Sequence, residues 1–560
     1  MKQRILIGLA FTAFLMACDI DPLPIQDQTT DELWSHSTYG EGILANAYVN
    51  LNANYPVNLD YFTDNAVPSQ PGTNALALGS WGVESSPIGN WQRNYNMIKY
   101  LNLYIENGAD LIYSVSDKQR DSILKSNRMG EAYFLRAWYQ ADLLKTYGGK
   151  SDESSEVLGF PIVTTVLQQG DNLDLPRNTY EECTLQIVAD CEEAISRLPI
   201  TYSNGTDPFT GLPNRGRASA LAAYALKTRV LLNAASPAYS ESTQAQWERA
   251  AKAAYEAIEA AGGLADLDDY GNFNDANSFD NIWIQPTYNG NGLEYNFYPP
   301  SLYGQGYCNP SQNLVDVFPA EDGYPIASSP VYDEDNPYVN RDERFYRFIF
   351  YNGDNYNGTI IKTYTGGDDA TGGLTQLGTR TGYYMKKLLS KNVSLNPNNV
   401  TSDVKFYVFL GKTELYLNFA EAANEAYGPA DGSLGFSALD AVKKIRERAS
   451  IDSDENMLGL QDAYLANRAS AGKQAFRSFI QDERRLELCF EGFRFWDIRR
   501  WEQPLNHVIR GVEITRDVVI GNSYNYFTVE THTFQDYMIY APLPYDQTLI
   551  MSNLKQNAGW

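Results

Sequence analysis

Apolar residues recur at spacings of three and four through most of the first half of the chain, the period of a helix with one inward face. Phe134, Trp138, Ala141 and Leu144 form such a face on a helix predicted from about Lys118 to Tyr147, which Gly148-Gly149 stops. A second helix is predicted from about Tyr180 to Leu198, ending at Pro199. A third carries Ala218, Leu221, Ala222, Ala225 and Leu232 and runs to Pro237, and a fourth covers about Gln244 to Ala261. A further helix upstream holds Trp91 and Asn94. The pattern returns late in the chain, where Leu415, Phe419, Ala422 and Ala426 form one stripe and Tyr416, Ala420, Ala423 and Tyr427 lie beside it. Alanine-rich faces let helices approach closely. The expected fold is therefore mainly α, a scaffold of tetratricopeptide-like helix pairs without a strict repeat period.

Between Asp266 and Tyr407 this pattern lapses. Gly, Asn, Pro and Tyr dominate, with short strand-like pieces at Ile282 to Gln285, Phe345 to Tyr351 and Lys405 to Phe409. A loop region this long inside a compact chain is usually functional. The expected organisation is a helical part to about residue 265, a loop-rich ligand region at about 266–410 and C-terminal helices at about 411–560, all in one domain beginning near residue 41.

The first residues read differently. Lys2 and Arg4 precede an apolar run from Ile5 to Ala17, too short to cross a hydrocarbon core of roughly 30 Å. Leu15-Met16-Ala17-Cys18 then fits a signal peptide (1–17) cleaved before a lipidation cysteine. Acyl chains on Cys18 contribute ~0.8 kcal/mol per buried CH₂, so several together tether the body stably to a bilayer. Residues 18–40 read as an extended tether.

Composition narrows the function classes. The formal charge of -25 excludes nucleic acid, whose binding requires a basic surface. Cys183 and Cys191 lie eight apart in a helical pattern, about 12 Å, too far to bridge. Together with Cys308 and Cys489 they read as buried thiols. The 40 tyrosines, accompanied by abundant asparagine, favour a recognition surface.

The segment Phe479-Ile480-Gln481-Asp482-Glu483-Arg484-Arg485-Leu486-Glu487-Leu488-Cys489-Phe490-Glu491-Gly492-Phe493-Arg494-Phe495-Trp496-Asp497-Ile498-Arg499-Arg500-Trp501 reads as an amphipathic helix closed by Gly492, then an aromatic turn with Asp497 near Arg500. It resembles the signature of the SusD/RagB family of Bacteroidetes outer-membrane lipoproteins. Blocks in the same order resemble that family too: Glu131 to Ala137, Gln312 to Phe318, Asn340 to Phe345, Glu414 to Ala422, Ile445 to Ala449 and Tyr540 to Pro544. The acidic Asp19 and Asp21 after Cys18 resemble a surface-export signal of such lipoproteins. The resemblance implies a SusD-like fold, a place on the outer face of the outer membrane, capture of oligosaccharides without catalysis, and a SusC-like TonB-dependent transporter as partner. Its peptide-importing branch leaves a peptide-binding lid as the alternative, and a surface glycosidase is a third reading.

Charges in the signature (Glu483, Arg484, Arg485, Glu487, Glu491 and Asp497) alternate in sign and read as mutually satisfied ion pairs. Trp91, Trp283, Trp496 and Trp501 are assigned to packing. The expected ligand contacts are Tyr288, Tyr295, Tyr298 and Tyr303, within a segment that also holds Phe297 and Tyr307, with a second patch at Tyr61, Asp64, Asn65 and Trp81. Sugar rings have an apolar C–H face that an aromatic ring covers, while Asn and Asp bond the hydroxyls. Each ring that removes about 50 Å² of apolar surface from water contributes roughly 1 kcal/mol. Three such rings imply dissociation constants on the order of millimolar to high micromolar.

Catalytic and metal motifs fail on their own spacing. His36, His507 and His532 are scattered, and no HExxH or paired CxxC occurs. Gly411-Lys412-Thr413 ends like a phosphate loop, but Phe406 stands where the first glycine is required. Asp266, Asp268 and Gly271 imitate a calcium loop until Tyr270 interrupts it. No cofactor is expected, and a structural calcium stays open because acidic loops such as Asp368-Asp369 exist.

Overall fold

A computed structural model describes residue 34 and residues 36–270, 275–450, 462–517 and 519–560. The expected signal peptide, Cys18 and most of the tether lie outside the described residues. The helices that position the site and its scaffold are α1 Ser37–Val49, α2 Trp91–Asn107, α3 Lys118–Tyr147, α4 Tyr180–Arg197, α5 Ala220–Ala235, α6 Gln244–Ala260, α7 Gly292–Phe297, α8 Glu343–Phe348, α9 Lys412–Tyr427, α10 Ala438–Arg448, α11 Ala463–Ser470, α12 Lys473–Glu487 and α13 Phe493–Arg500, with short helices at Gln312–Val315 and Tyr545–Ile550 besides. Among the described residues, no helix is long and apolar enough to cross a membrane. The last residues of the expected tether already belong to α1, whose Leu44 and Ala47 are buried in the core.

Helices α2 to α6 pack on one another in chain order, and α6 packs on α9, which adds α10 and α12. Their starts are set locally. Asp117 accepts the Arg120 N–H at 2.9 Å at the head of α3, and Thr179 with Glu182 and Thr243 with Gln246 form capping boxes on α4 and α6. The small faces do what their pattern promises: Ala250, Ala251, Ala254 and Ala257 of α6 are buried with Ala420, Ala422 and Ala423 of α9. Trp283 fills the seam between scaffold and insert. Its ring stacks on Phe409 at 4.3 Å and meets Phe134 edge-on at 4.9 Å, contacts worth about 0.5–1.5 kcal/mol each beyond area burial.

The insert is held by short antiparallel pairs. Strands β1 Ala66–Pro68, β2 Asn281–Ile284, β3 Tyr288–Gly290, β4 Cys308–Pro310, β5 Asp403–Lys405 and β6 Val408–Gly411 pair as β1 with β4, β2 with β6 and β3 with β5. A longer hairpin, β7 Val508–Asp517 and β8 Gly521–Thr531, follows α13. Two local expectations change. The stretch Phe345 to Tyr351 is not one strand: Asp342 accepts the Arg344 N–H at 2.8 Å and starts α8, leaving only Ile349–Phe350 extended. The aromatic turn after Gly492 is the two-turn helix α13, entered through the left-handed Gly492.

The signature charges are buried in pairs. Arg344 of α8 bonds Asp342 at 2.7 Å, Glu483 at 2.7 Å and Glu487 at 2.8 Å. Arg446 bonds Glu483 and Arg448 bonds Glu487, each at 2.6 Å, while Arg500 joins Glu421 at 2.6 Å and Asp497 at 2.8 Å. Burial alone would raise Glu483, but Arg344 and Arg446 outweigh it and hold the carboxyl below its ordinary value. These carboxylates are acceptors for arginine. The four cysteines expected as thiols are free and buried.

Candidate ligand-binding site

The tyrosine-rich segment is a rigid double-backed loop. β3 starts it, with Tyr288 opposite Lys405 of β5, and β4 ends it against β1. Between them Gln305 donates to the Tyr295 carbonyl at 2.8 Å and Tyr307 to the Asn296 carbonyl at 2.9 Å, tying the two limbs together. The fold back needs the left-handed Tyr303, and a Cβ on Gly304 would run into the Tyr298 backbone.

Three buried residues, Glu294, Tyr298 and Asp369, anchor this loop. The Glu294 carboxylate of α7 accepts from Lys405 Nζ at 2.5 Å and from the Ser390 N–H at 2.8 Å. Tyr298 donates its hydroxyl to the Ser390 carbonyl at 2.6 Å, and Asp369 accepts the Ser301 N–H at 2.8 Å. Burial raises the Asp369 carboxyl above its ordinary value. The anchored loop turns Tyr288, Tyr295, Tyr303 and Tyr307 outward at 53%, 51%, 52% and 46% exposure. Each of the four residues is thus about half-exposed on a backbone already tied by hydrogen bonds, which lowers the entropy lost on binding.

Several expected contacts are corrected. Tyr298 is 2% exposed, its ring edge-on to Tyr356 at 5.5 Å, so it is an anchor with no face for a ligand. The N-terminal patch does not form a surface. Trp81 is buried against Trp560 at 5.0 Å with its indole N–H on Ser86, and Asn65 donates to Asp60 at 2.6 Å while accepting from Arg485 at 2.8 Å. Asp64 is buried too; burial would raise its carboxyl, but Arg485 at 3.1 Å and Arg494 at 2.9 Å hold it well below the usual range. Tyr61 is half-buried and donates to the Tyr307 carbonyl at 3.2 Å, supporting the platform from below. Polar residues in an aromatic neighbourhood suggested exposure, but the signature arginines had already claimed them.

The β7–β8 hairpin, absent from the sequence reading, adds an open cleft of about 1120 Å³ between Tyr332, Tyr524, Tyr526 and the Arg510–Asp316 pair. Its alternation of polar and aromatic residues over Asn522 to Phe527 was the available signal.

Comparison with known proteins places the whole. Residues 267–560 match the model of the SusD family, and residues 35–232 match a model described as starch-binding associating with outer membrane. The chain belongs to the SusD family. A SusD-like protein of Formosa agariphila is 31% identical over 162 residues, 29% of this chain and 25% of that protein, so the chain spans about a quarter of the length of this curated relative. Among solved structures, a SusD-like protein of Bacteroides fragilis superposes with TM-score 0.74 at 23% identity, covering 95% of this chain and 99% of its own. A SusD-like carbohydrate binding protein of the same species gives 0.70 at 21%, covering 93% and 100%. At these identities the likeness carries the mainly helical SusD-like fold.

Proposed function

We propose that this chain captures an oligosaccharide at the outer membrane on the platform of Tyr288, Tyr295, Tyr303 and Tyr307, and makes or breaks no bond in doing so. The observation that carries the reading is four half-exposed tyrosines on one loop anchored by the buried Glu294–Lys405 ion pair and by hydrogen bonds. The family description as starch-binding and outer-membrane-associated, and the carbohydrate-binding neighbour, support a sugar as the ligand. Within this reading Cys18 carries the lipid, the body faces outward, and a SusC-like TonB-dependent transporter receives the sugar. Neither a cofactor nor a metal takes part.

A glycan array followed by calorimetry on the best glycan tests it. Tyr295→Ala with Tyr303→Ala removes roughly 1 kcal/mol per ring, a loss of about 30-fold in affinity. Capture of peptides alone would transfer the reading to a peptide lid. Release of reducing sugar, lost on one Asp or Glu substitution, would make the protein a glycosidase.

A further inference from the structure

A second cleft of about 290 Å³ lies on the scaffold, where α3 meets the turn between α12 and α13. Different elements build it from those that carry the tyrosine platform. Trp138 of α3 and Trp496 of α13 form its apolar walls, both half-buried, and Lys145 stands 5.1 Å over the Trp496 ring. Phe493 sits between two guanidinium groups, 5.7 Å from Arg229 and 5.5 Å from Arg484. Arg93 closes the side toward α2.

The informative feature is which polar atoms lack partners. Arg484 is 3% exposed and uses Nε on Asp497 at 2.8 Å and Nη1 on Asn418 at 2.8 Å. Its Nη2 has no hydrogen bond among the described residues, yet it is not enclosed as Arg499 Nη2 is. Arg484 is one of the residues that line the cleft. Arg229 spends Nε and Nη2 on Glu414 and the Phe409 carbonyl, and Arg93 spends Nε and Nη2 on Asn94 and Asp142. Each keeps Nη1 free among the described residues, as Trp138 and Trp496 keep their indole N–H. The neighbouring carboxylates are taken: Asp142 by Lys145 and Asn94, Asp497 by Arg484 and Arg500, Glu491 by Lys387. Free nitrogen donors beside indole rings call for an acceptor-rich ligand with an apolar face.

We propose that this cleft is a second saccharide site, selective for a sugar bearing an anionic substituent, either a uronate carboxylate or a sulfate ester. The sugar ring packs on Trp496, and the anionic group takes the free nitrogens of Arg484, Arg229 and Arg93. The exposed Asn52, Asn54 and Asn58 at the mouth bond hydroxyls. Its volume admits a sugar unit and little more, at the small end of ligand pockets.

Titration of the full chain with trigalacturonate, with sulfated galactobiose and with neutral maltotriose, read by calorimetry and tryptophan fluorescence, tests this. Either anionic probe should bind, quench fluorescence and weaken as salt rises. Arg93→Gln with Lys145→Gln, both at partly exposed positions, should cost at least tenfold in affinity, and Trp496→Ala should remove the quenching. The Tyr295→Ala, Tyr303→Ala protein should keep this binding unchanged, which separates failure here from failure of the platform. No binding of either anionic probe at millimolar concentration, equal affinity for maltotriose or for triaspartate, or indifference to Arg93→Gln with Lys145→Gln would overturn the proposal.

Discussion

Tyr295 and Tyr298 stand three residues apart and do opposite work. Tyr295 leaves half its ring in water, whereas Tyr298 is enclosed and bonds the Ser390 carbonyl at 2.6 Å. Tyr298→Ala should therefore cost about 3 kcal/mol or more of stability, as large-to-small changes in a core do, while Tyr295→Ala should stay within about 0.5 kcal/mol of wild type. Urea unfolding distinguishes them; equal losses would mean that Tyr295 also packs. Asp280 is a residue under tension of a different kind. Its Oδ2 accepts from the Asp268 N–H at 3.0 Å and from Arg448 at 3.4 Å, while Oδ1 has no partner among the described residues. Burial pushes its carboxyl from the ordinary 3.8 up to about 6, against the opposing pull of Arg448. The folded protein then holds this proton more tightly than the unfolded chain does. Its stabilising contribution is full below about pH 4 and is lost as pH rises through 6. The difference amounts to at most about 3 kcal/mol. Asp280→Asn, which keeps the acceptor and drops the charge, should be the more stable protein at pH 7, with the gap closing toward pH 4. A gap that stays constant in urea unfolding across that range would refute the assignment.

At the scale of elements, the long helices were legible because apolar residues recur at helical spacing along them, even where polar residues such as Glu131, Arg136 and Asp190 are buried beside them. The predicted helix from about Lys118 to Tyr147 is α3, and the predicted starts at Tyr180 and Gln244 are those of α4 and α6, where threonine caps fix the boundary. Helix α1 went unseen because its apolar positions are diluted by Gly40, Gly42 and Asn46. The β7–β8 hairpin went unseen because most of its side chains are exposed, so no buried alternation marks it over its full length. In the site, the tyrosines were legible as a cluster, but their orientation was not. That orientation depends on Glu294, a residue with no local pattern, meeting Lys405 more than a hundred positions away. Glu294→Gln leaves Lys405 charged and uncompensated in the interior, a loss of about 3–5 kcal/mol. Because α7 carries Tyr295, the variant should also bind glycan more weakly than Tyr295→Ala does. Removing the stranded charge as well, Glu294→Gln with Lys405→Met, keeps an acceptor for the Ser390 N–H and should recover most of the stability. Calorimetry and urea unfolding on the three proteins check this, and full glycan affinity in Glu294→Gln would show that the pair does not position the platform.

For the molecule as a whole, the C-terminal end of α12 is where three regions meet. Arg344 reaches it from the insert through Glu483 and Glu487, Lys387 reaches it through the Glu487 carbonyl at 2.6 Å, and Arg485 extends from it to Asn65 and the Asp64 carbonyl in the N-terminal loops. Scaffold, insert and N-terminal loops therefore share one set of buried charges, and opening any of them breaks ion pairs or hydrogen bonds to the others. That coupling predicts one cooperative unit despite a length that would allow several domains. Far-UV circular dichroism, which follows the helices, and near-UV dichroism, to which the tyrosine-rich insert contributes strongly, should lose their signals in a single coincident transition. Arg344→Met removes the guanidinium that Asp342, Glu483 and Glu487 share. Arg446 and Arg448 still compensate the two glutamates, so the scaffold keeps its partners while Asp342 and α8 lose theirs. The variant should lose about 3–5 kcal/mol, with the near-UV transition moving to lower urea than the far-UV one. Coincident transitions in Arg344→Met at wild-type urea concentrations would show that Arg344 is passive and that the insert is held to the scaffold by other contacts, the packing of Trp283 and the Lys387 bonds to the end of α12 among them.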